Sequence, residues 1–112
     1  MIHHVGLAKT KELIITADPI NADEARRIGL ISQVYKDDEF MDRVYAYAER
    51  LLKNSPFAMG MAKHVVNMCV NADMHTGRDI ERLAQSVLVT SDDHKEGMAA
   101  FFEKRDPVFK GK

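Results

Sequence analysis

The stretch FMDRVYAYAERLLKNSPFAMGMAKHVVNMC, residues 40–69, decides the fold class because two helical patterns follow each other across a short break. Apolar residues in its first half recur every three or four positions, as in a helix that buries one face. These positions are Phe40, Val44, Tyr47, Ala48, Leu51 and Leu52. After the break, Ser55 can cap free backbone amides, and Pro56 suits the first helical turn, where its missing N–H costs nothing. The stretch therefore predicts two consecutive helices.

The sequence before this stretch predicts two shorter helices and a connector. Helix-forming residues run from 5 to 17 and stop at Asp18-Pro19. Asn21 and Glu24 have the spacing of a capping box, which starts a short helix that Gly29 ends. The segment ISQVY, residues 31–35, is rich in β-branched side chains but too short to build a sheet. We interpret it as a connector or a lone edge strand.

The sequence after residue 70 predicts two further helices. A break at NADMHTG, residues 71–77, precedes a helix with an apolar face. Ser91 can cap the terminal helix, and Asp106-Pro107 can end it. The inward-facing residues of these two helices are expected to be Ile80, Leu83, Ala84, Val87, Leu88, Met98, Phe101 and Phe102. The chain is thus predicted to be all-α, with about six short helices.

Composition narrows the classes of protein to consider. A length of 112 residues suits one domain and suggests a sizeable buried core. Sixteen basic and seventeen acidic residues give no general attraction to nucleic acid or anionic membranes, and no apolar run is long enough for a membrane span. The single cysteine, Cys69, allows no internal disulfide and fits a reducing compartment. We expect a cytoplasmic protein, or one of the mitochondrial matrix if the source is eukaryotic.

The sequence offers no catalytic or metal-binding residues that we would assign. The five histidines lack the spacing of a zinc helix, and Cys69 has no partner cysteine. Asp92, Asp93 and Glu96 form a dense group of carboxylates, which can perform acid/base chemistry. Acidic residues in the first turn of a helix also complement its dipole, and we favour this interpretation of a solvated helix start.

A basic tail follows the last predicted helix. Its cations are Lys104, Arg105, Lys110 and Lys112, and they lie near Phe101 and Phe109. Cations and aromatic rings together suit an anionic, partly aromatic ligand. Cations after a helix also complement its dipole without any ligand. The pattern leaves both interpretations open.

Two long segments resemble the crotonase superfamily and its enoyl-CoA hydratases. VGLAKTKELIITADPINADEARRIGLISQVY, residues 5–35, resembles the region just after the catalytic core of that superfamily. SDDHKEGMAAFFEKRDPVFKG, residues 91–111, resembles its C-terminal helix. The motifs A-x-E-A-x-x-x-G-L and S-x-D-x-K-E-G-x-x-A-F-x-E-K-R occur within these segments, and their order and spacing make the resemblance specific.

The resemblance implies the C-terminal helical subdomain of the crotonase fold, without its β-α spiral core. Residues 1–35 would pack on that core, and residues 36–112 would form oligomerisation and lid helices, with trimer contacts typical of the family. The parent reaction would be hydration of a 2-enoyl-CoA to a 3-hydroxyacyl-CoA in fatty-acid oxidation. Coenzyme A would enter as part of the substrate, with no separate cofactor. Phe101 and Lys104 would contact the coenzyme A.

Two departures from the family pattern stand out. Ala17 takes a position where the family often has glycine. The oxyanion-hole amides and the acid/base glutamates of the family belong to the core and have no counterpart in this chain, which is therefore expected to be inactive alone. An alternative is a stand-alone helical module that associates with itself or with another protein and has no role in binding coenzyme A. The Phe101/Lys104 pair within its motif favours a part of an enoyl-CoA hydratase-like protein that contacts coenzyme A.

Overall fold

The computed structural model describes residues 1–112 and consists of six α-helices without β-strands. The helices are α1 (Ile2–Thr16), α2 (Ala22–Arg27), α3 (Phe40–Leu52), α4 (Pro56–Cys69), α5 (Met74–Thr90) and α6 (Asp92–Glu103). The predicted number and order of helices are confirmed. Residues 31–35 form no strand, so this segment is a connector. No helix combines the length and the apolar character that crossing a membrane requires.

The chain divides into two compact units, residues 1–44 and 45–112. In the first unit, α1 is interrupted at Gly6, whose φ of 78° is outside the helical range. The Asn21 side chain caps α2 by accepting a hydrogen bond from the Glu24 amide at 2.8 Å. The Glu24 carboxylate binds the Arg27 guanidinium instead of returning to Asn21, so only half of the predicted capping box forms.

In the second unit, α5 packs against both α4 and α6. Each helix begins at a capping side chain: Ser55 Oγ accepts from the Ala58 amide at 3.1 Å, and Ser91 Oγ accepts from the His94 amide at 3.1 Å. The Asp73 carboxylate caps α5, so this helix begins inside the predicted break. Helix α6 ends before Asp106-Pro107, because Lys104 adopts left-handed backbone angles.

Very little of the chain is buried. Only Ala25, Asp93 and Ala100 are buried, and every helix except α2 leaves large apolar side chains exposed. The expectation of a sizeable core is therefore wrong. A helix hides its apolar stripe only where another element lies against it, and several stripes in this chain have no such partner. Helix α3 is the clearest case, with every residue from 41 to 52 exposed.

Candidate functional site

An aromatic pair lies open near the end of α6. The side chains of Phe101 and Phe102 are 77% and 73% exposed, and their ring centroids lie 5.8 Å apart with the planes at 74°. The expectation that these residues and Met98 face inward is wrong for this structure. The side of α6 that is buried carries Ala100, and no element of the unit covers the aromatic side.

Lys104 directly follows this aromatic pair and ends the helix. Its φ of 55° and ψ of 40° lie in the left-handed region, which a residue with a Cβ adopts at a cost of about 1–2 kcal/mol. The Lys104 amide donates to the Phe101 carbonyl at 3.3 Å, and the next amide donates to the Ala100 carbonyl at 3.1 Å. The ammonium group makes no ion pair with any carboxylate of the chain. It is free to meet an external anion.

Arg105, in contrast, is fully engaged within the protein. Its guanidinium binds both carboxylate oxygens of Glu96, at 2.6 and 3.0 Å, and also binds Glu103. The hydrogen bonds from Arg105, followed by the one from the Val108 amide, lower the pKa of Glu96 from 4.5 to about 2. The hydrogen bonds to Glu96 and, next, to Glu103 raise the pKa of Arg105 above its ordinary value. Arg105 is therefore not available as a ligand-binding cation.

Asp93 lies at the start of α6 and is only 3% exposed. Its carboxylate accepts hydrogen bonds from the Ser55 hydroxyl at 2.5 Å, from the Lys110 amide at 2.7 Å and from the Gly111 amide at 3.1 Å. Burial by itself would raise the pKa of Asp93, but these hydrogen bonds outweigh it, and the pKa is lowered. The interpretation of Asp93 as part of a solvated helix start is wrong. Asp93 instead ties the chain terminus to the beginnings of α4 and α6.

These contacts fold residues 105–112, which we call the tail, back along α6. The Phe109 ring packs over Gly97, where an added Cβ would lie 3.6 Å from the ring. Lys110 and Lys112 thereby come beside Asp92, at the beginning of the helix. Since twelve helical residues span roughly 18 Å, these two lysines lie far from Lys104. The predicted basic tail is thus split between the two ends of α6.

Phe101 and Lys104 therefore both lie at one exposed end of α6. The roles of Asp93 and Glu96 as anchors of the tail are not visible in the sequence pattern. Their contacts join residues 9 to 38 positions apart, which helical periodicity does not connect. No three His, Cys, Asp or Glu side chains are grouped in a way that could hold a metal ion.

Comparison with known proteins gives a consistent result. The sequence model of the enoyl-CoA hydratase/isomerase family matches residues 1–112. The crotonyl-CoA hydratase of Syntrophomonas wolfei is 39% identical over 105 residues, which cover 94% of this chain and 40% of the relative. The short-chain-enoyl-CoA hydratase of Clostridium acetobutylicum is 37% identical over 101 residues, which cover 90% of this chain and 39% of the relative.

The fold agrees with solved structures as well. The enoyl-CoA hydratase of Bacillus anthracis superposes with a TM-score of 0.94 at 33% identity, covering 99% of this chain and 43% of that protein. This chain belongs to the enoyl-CoA hydratase/isomerase family, and the predicted fold class, a helical part of the crotonase fold, is confirmed. The chain spans about two-fifths of the length of these relatives.

Proposed function

We propose that the chain acts as the C-terminal helical part of an enoyl-CoA hydratase-like protein, where it closes the acyl-CoA pocket and contributes to the oligomer. The reaction served is the hydration of a 2-enoyl-CoA to a 3-hydroxyacyl-CoA. One observation carries the proposal: a member of this family exposes Phe101 and, three residues later at the end of α6, a Lys104 without an ion-pair partner.

The chemistry of this pair fits coenzyme A, which combines an aromatic base with phosphates. The open face of the Phe101 ring suits stacking against a flat base. The Lys104 ammonium is a compact point charge that suits a phosphate. A lysine in left-handed backbone, where glycine would fit without strain, supports a role for the side chain itself.

Three carboxylates of the chain have internal partners that suit a structural role. Asp93 and Glu96 hold the tail, and Glu24 binds Arg27. Enoyl hydration needs hydrogen-bond donors for the developing enolate and a group that positions water. In this proposal those groups come from the other part of the enzyme, and the isolated chain does not turn over substrate.

A chimera tests the proposal. The matching two-fifths of the Syntrophomonas wolfei crotonyl-CoA hydratase would be replaced by this chain. We expect the chimera to hydrate crotonyl-CoA, whereas the purified chain alone gives no turnover, because removing even one oxyanion donor typically slows catalysis by about 10² to 10³. The loss of enone absorbance measures both reactions. Turnover by the chain alone, abolished by a mutation within it, would refute the binding-only role.

Lys104→Ala in this chimera tests the coenzyme A contact. A charge-assisted contact contributes at most about 1.5 to 3 kcal/mol, and less when it is exposed, so KM should rise about fivefold to tenfold while kcat stays the same. Lys53→Ala is the matched control, because Lys53 is also exposed, follows the end of α3 and makes no ion pair. An unchanged KM for Lys104→Ala would remove Lys104 from the site.

A further inference from the structure

Glu96 holds the first half of the tail at two separate points, Arg105 and Val108. Its Oε1 accepts from Arg105 Nη1 at 2.6 Å and from the Val108 amide at 2.8 Å, while its Oε2 accepts from Arg105 Nη2 at 3.0 Å. The Glu96 side chain is 26% exposed, so it is partly shielded from competing water. A bidentate guanidinium–carboxylate pair fixes the relative orientation of the two groups as well as their distance.

Lys104 lies directly before the first of these anchored residues. Its left-handed backbone is disfavoured for any residue with a Cβ, so the turn needs support from its surroundings. On one side the helix ends at Glu103, whose carboxylate binds Arg105 Nε. On the other side Arg105 and Val108 are tied to Glu96. The Lys104 and Arg105 amides hold the turn to the last carbonyls of the helix, and Glu96 adds the side-chain link from the residues after the turn to the body of α6.

We infer that Glu96 is a positioning residue that fixes the turn after α6 and thereby aims the Lys104 ammonium at the phosphate of a coenzyme A thioester. The inference rests on the proposed coenzyme A contact and extends it to a residue that does not touch the ligand. Glu103 alone would hold the turn less well, because its side chain is 60% exposed and binds only Arg105. Glu103 also directly precedes Lys104, so it does not connect the turn to an earlier part of α6.

A double-mutant cycle in the chimera tests this inference. Glu96→Gln keeps an oxygen for the Val108 amide but loses the charge that binds Arg105. We expect it to raise KM for crotonyl-CoA about threefold to fivefold, with kcat unchanged, since it weakens the Lys104 contact without abolishing it. In a Lys104→Ala background the same change should leave KM where it is, because residues that act through one contact are not additive.

Two further readouts separate positioning from general damage. With crotonyl-pantetheine, which lacks the nucleotide, Glu96→Gln should leave KM unaltered. Hydrogen exchange followed by mass spectrometry should show faster exchange in residues 103–108 and unchanged exchange in α4 and α5. Asp92→Asn is the control, because it removes the exposed Asp92–Lys95 pair of the same helix and should change none of these quantities.

The outcomes are distinct. If Lys104→Ala raises KM but Glu96→Gln does not, the positioning role is refuted and the coenzyme A contact stands. If Glu96→Gln raises KM equally with and without the Lys104 side chain, the change reflects general structural damage and the positioning role is refuted. The same conclusion follows if Glu96→Gln raises KM for crotonyl-pantetheine. If Lys104→Ala has no effect, both the contact and the inference that depends on it are overturned.

Discussion

Two residues other than glycine, Ala17 and Lys104, have left-handed backbone angles at the ends of α1 and α6. The family resemblance leads us to expect glycine at position 17, and the φ of 54° at Ala17 is a backbone angle that suits glycine. Glycine reaches this region without the clash that a Cβ causes. The methyl group of Ala17 therefore adds strain to this turn.

Ala17→Gly should stabilise the chain by about 0.5 to 1 kcal/mol. Relief of the left-handed strain exceeds the entropy that glycine adds to the unfolded state. Chemical denaturation would measure the change. Ala46→Gly, at an exposed position inside α3, is the control and should destabilise by about 1 kcal/mol, because its backbone is helical. A loss of stability in Ala17→Gly would show that the left-handed turn is not formed in solution.

At the scale of elements, α6 and the tail behave as one unit held by two carboxylates. Asp93 fastens the terminus at the beginning of the helix, and Glu96 fastens the turn at its end. Helix α4 joins this arrangement through the Ser55 hydroxyl, which caps α4 and donates to Asp93. The last eight residues are thereby ordered without secondary structure of their own.

Asp93→Ala should lower the melting temperature of the chain by about 5 to 15 °C. It leaves the Ser55 hydroxyl and the amides of Lys110 and Gly111 without their acceptor at a partly buried site. Thermal unfolding followed by circular dichroism measures the shift. Asp92→Ala removes the neighbouring carboxylate, which is exposed, and should shift the midpoint by only a few degrees. Equal shifts for both variants would show that Asp93 does not anchor the tail.

The Glu96 contacts predict a defined dependence of stability on pH. The pKa of Glu96 is about 2 in the folded chain and 4.5 without its partners, so the folded state favours the ionised form. The stabilisation is complete above pH 4.5 and is lost as the pH falls from 4.5 towards 2. The difference in melting temperature between the wild type and Glu96→Gln should therefore shrink over this range and stay constant from pH 5 to 7. A difference that does not change with pH would contradict the ion pair.

At the scale of the whole molecule, apolar side chains remain exposed within both compact units. Helix α1 exposes Ile14 and Ile15, and the second unit exposes Leu83 and Val87 on α5. Soluble monomers rarely leave contiguous apolar patches of more than a few hundred Å² in water. The exposed stripes are surfaces that other protein is expected to cover, either a second copy or the rest of a larger enzyme.

We predict that the isolated chain self-associates, as a dimer or trimer, through the apolar side of α1. Ile14→Lys combined with Ile15→Lys should shift the chain towards monomer in sedimentation experiments, because two charges would have to be buried in the contact. Leu83→Lys combined with Val87→Lys is the control, because both residues are also exposed but lie on a different helix, and it should leave the association state unchanged. A wild-type chain that sediments as a monomer at every concentration would contradict the prediction.

Local patterns in the sequence determined the helices of this protein and the caps of α2, α4 and α6. Ser55 and Ser91 act as caps as predicted, since a cap involves backbone amides only three positions away. The pairing of Phe101 with Lys104 as a candidate site came from the family resemblance of a continuous motif, and the structure places both at one exposed end of α6.

Only the tertiary structure decided which side chains are free and which are engaged. In the sequence Asp92 and Asp93 are two adjacent, equivalent acids. In the structure Asp92 is exposed, whereas Asp93 is buried under the tail. Likewise Lys104 and Arg105 are adjacent cations, but Glu96 binds only the arginine. These differences arise because the tail returns along α6 and brings together groups that are 9 to 38 residues apart. Helical periodicity acts over three or four residues, so it carries no information about contacts at that separation.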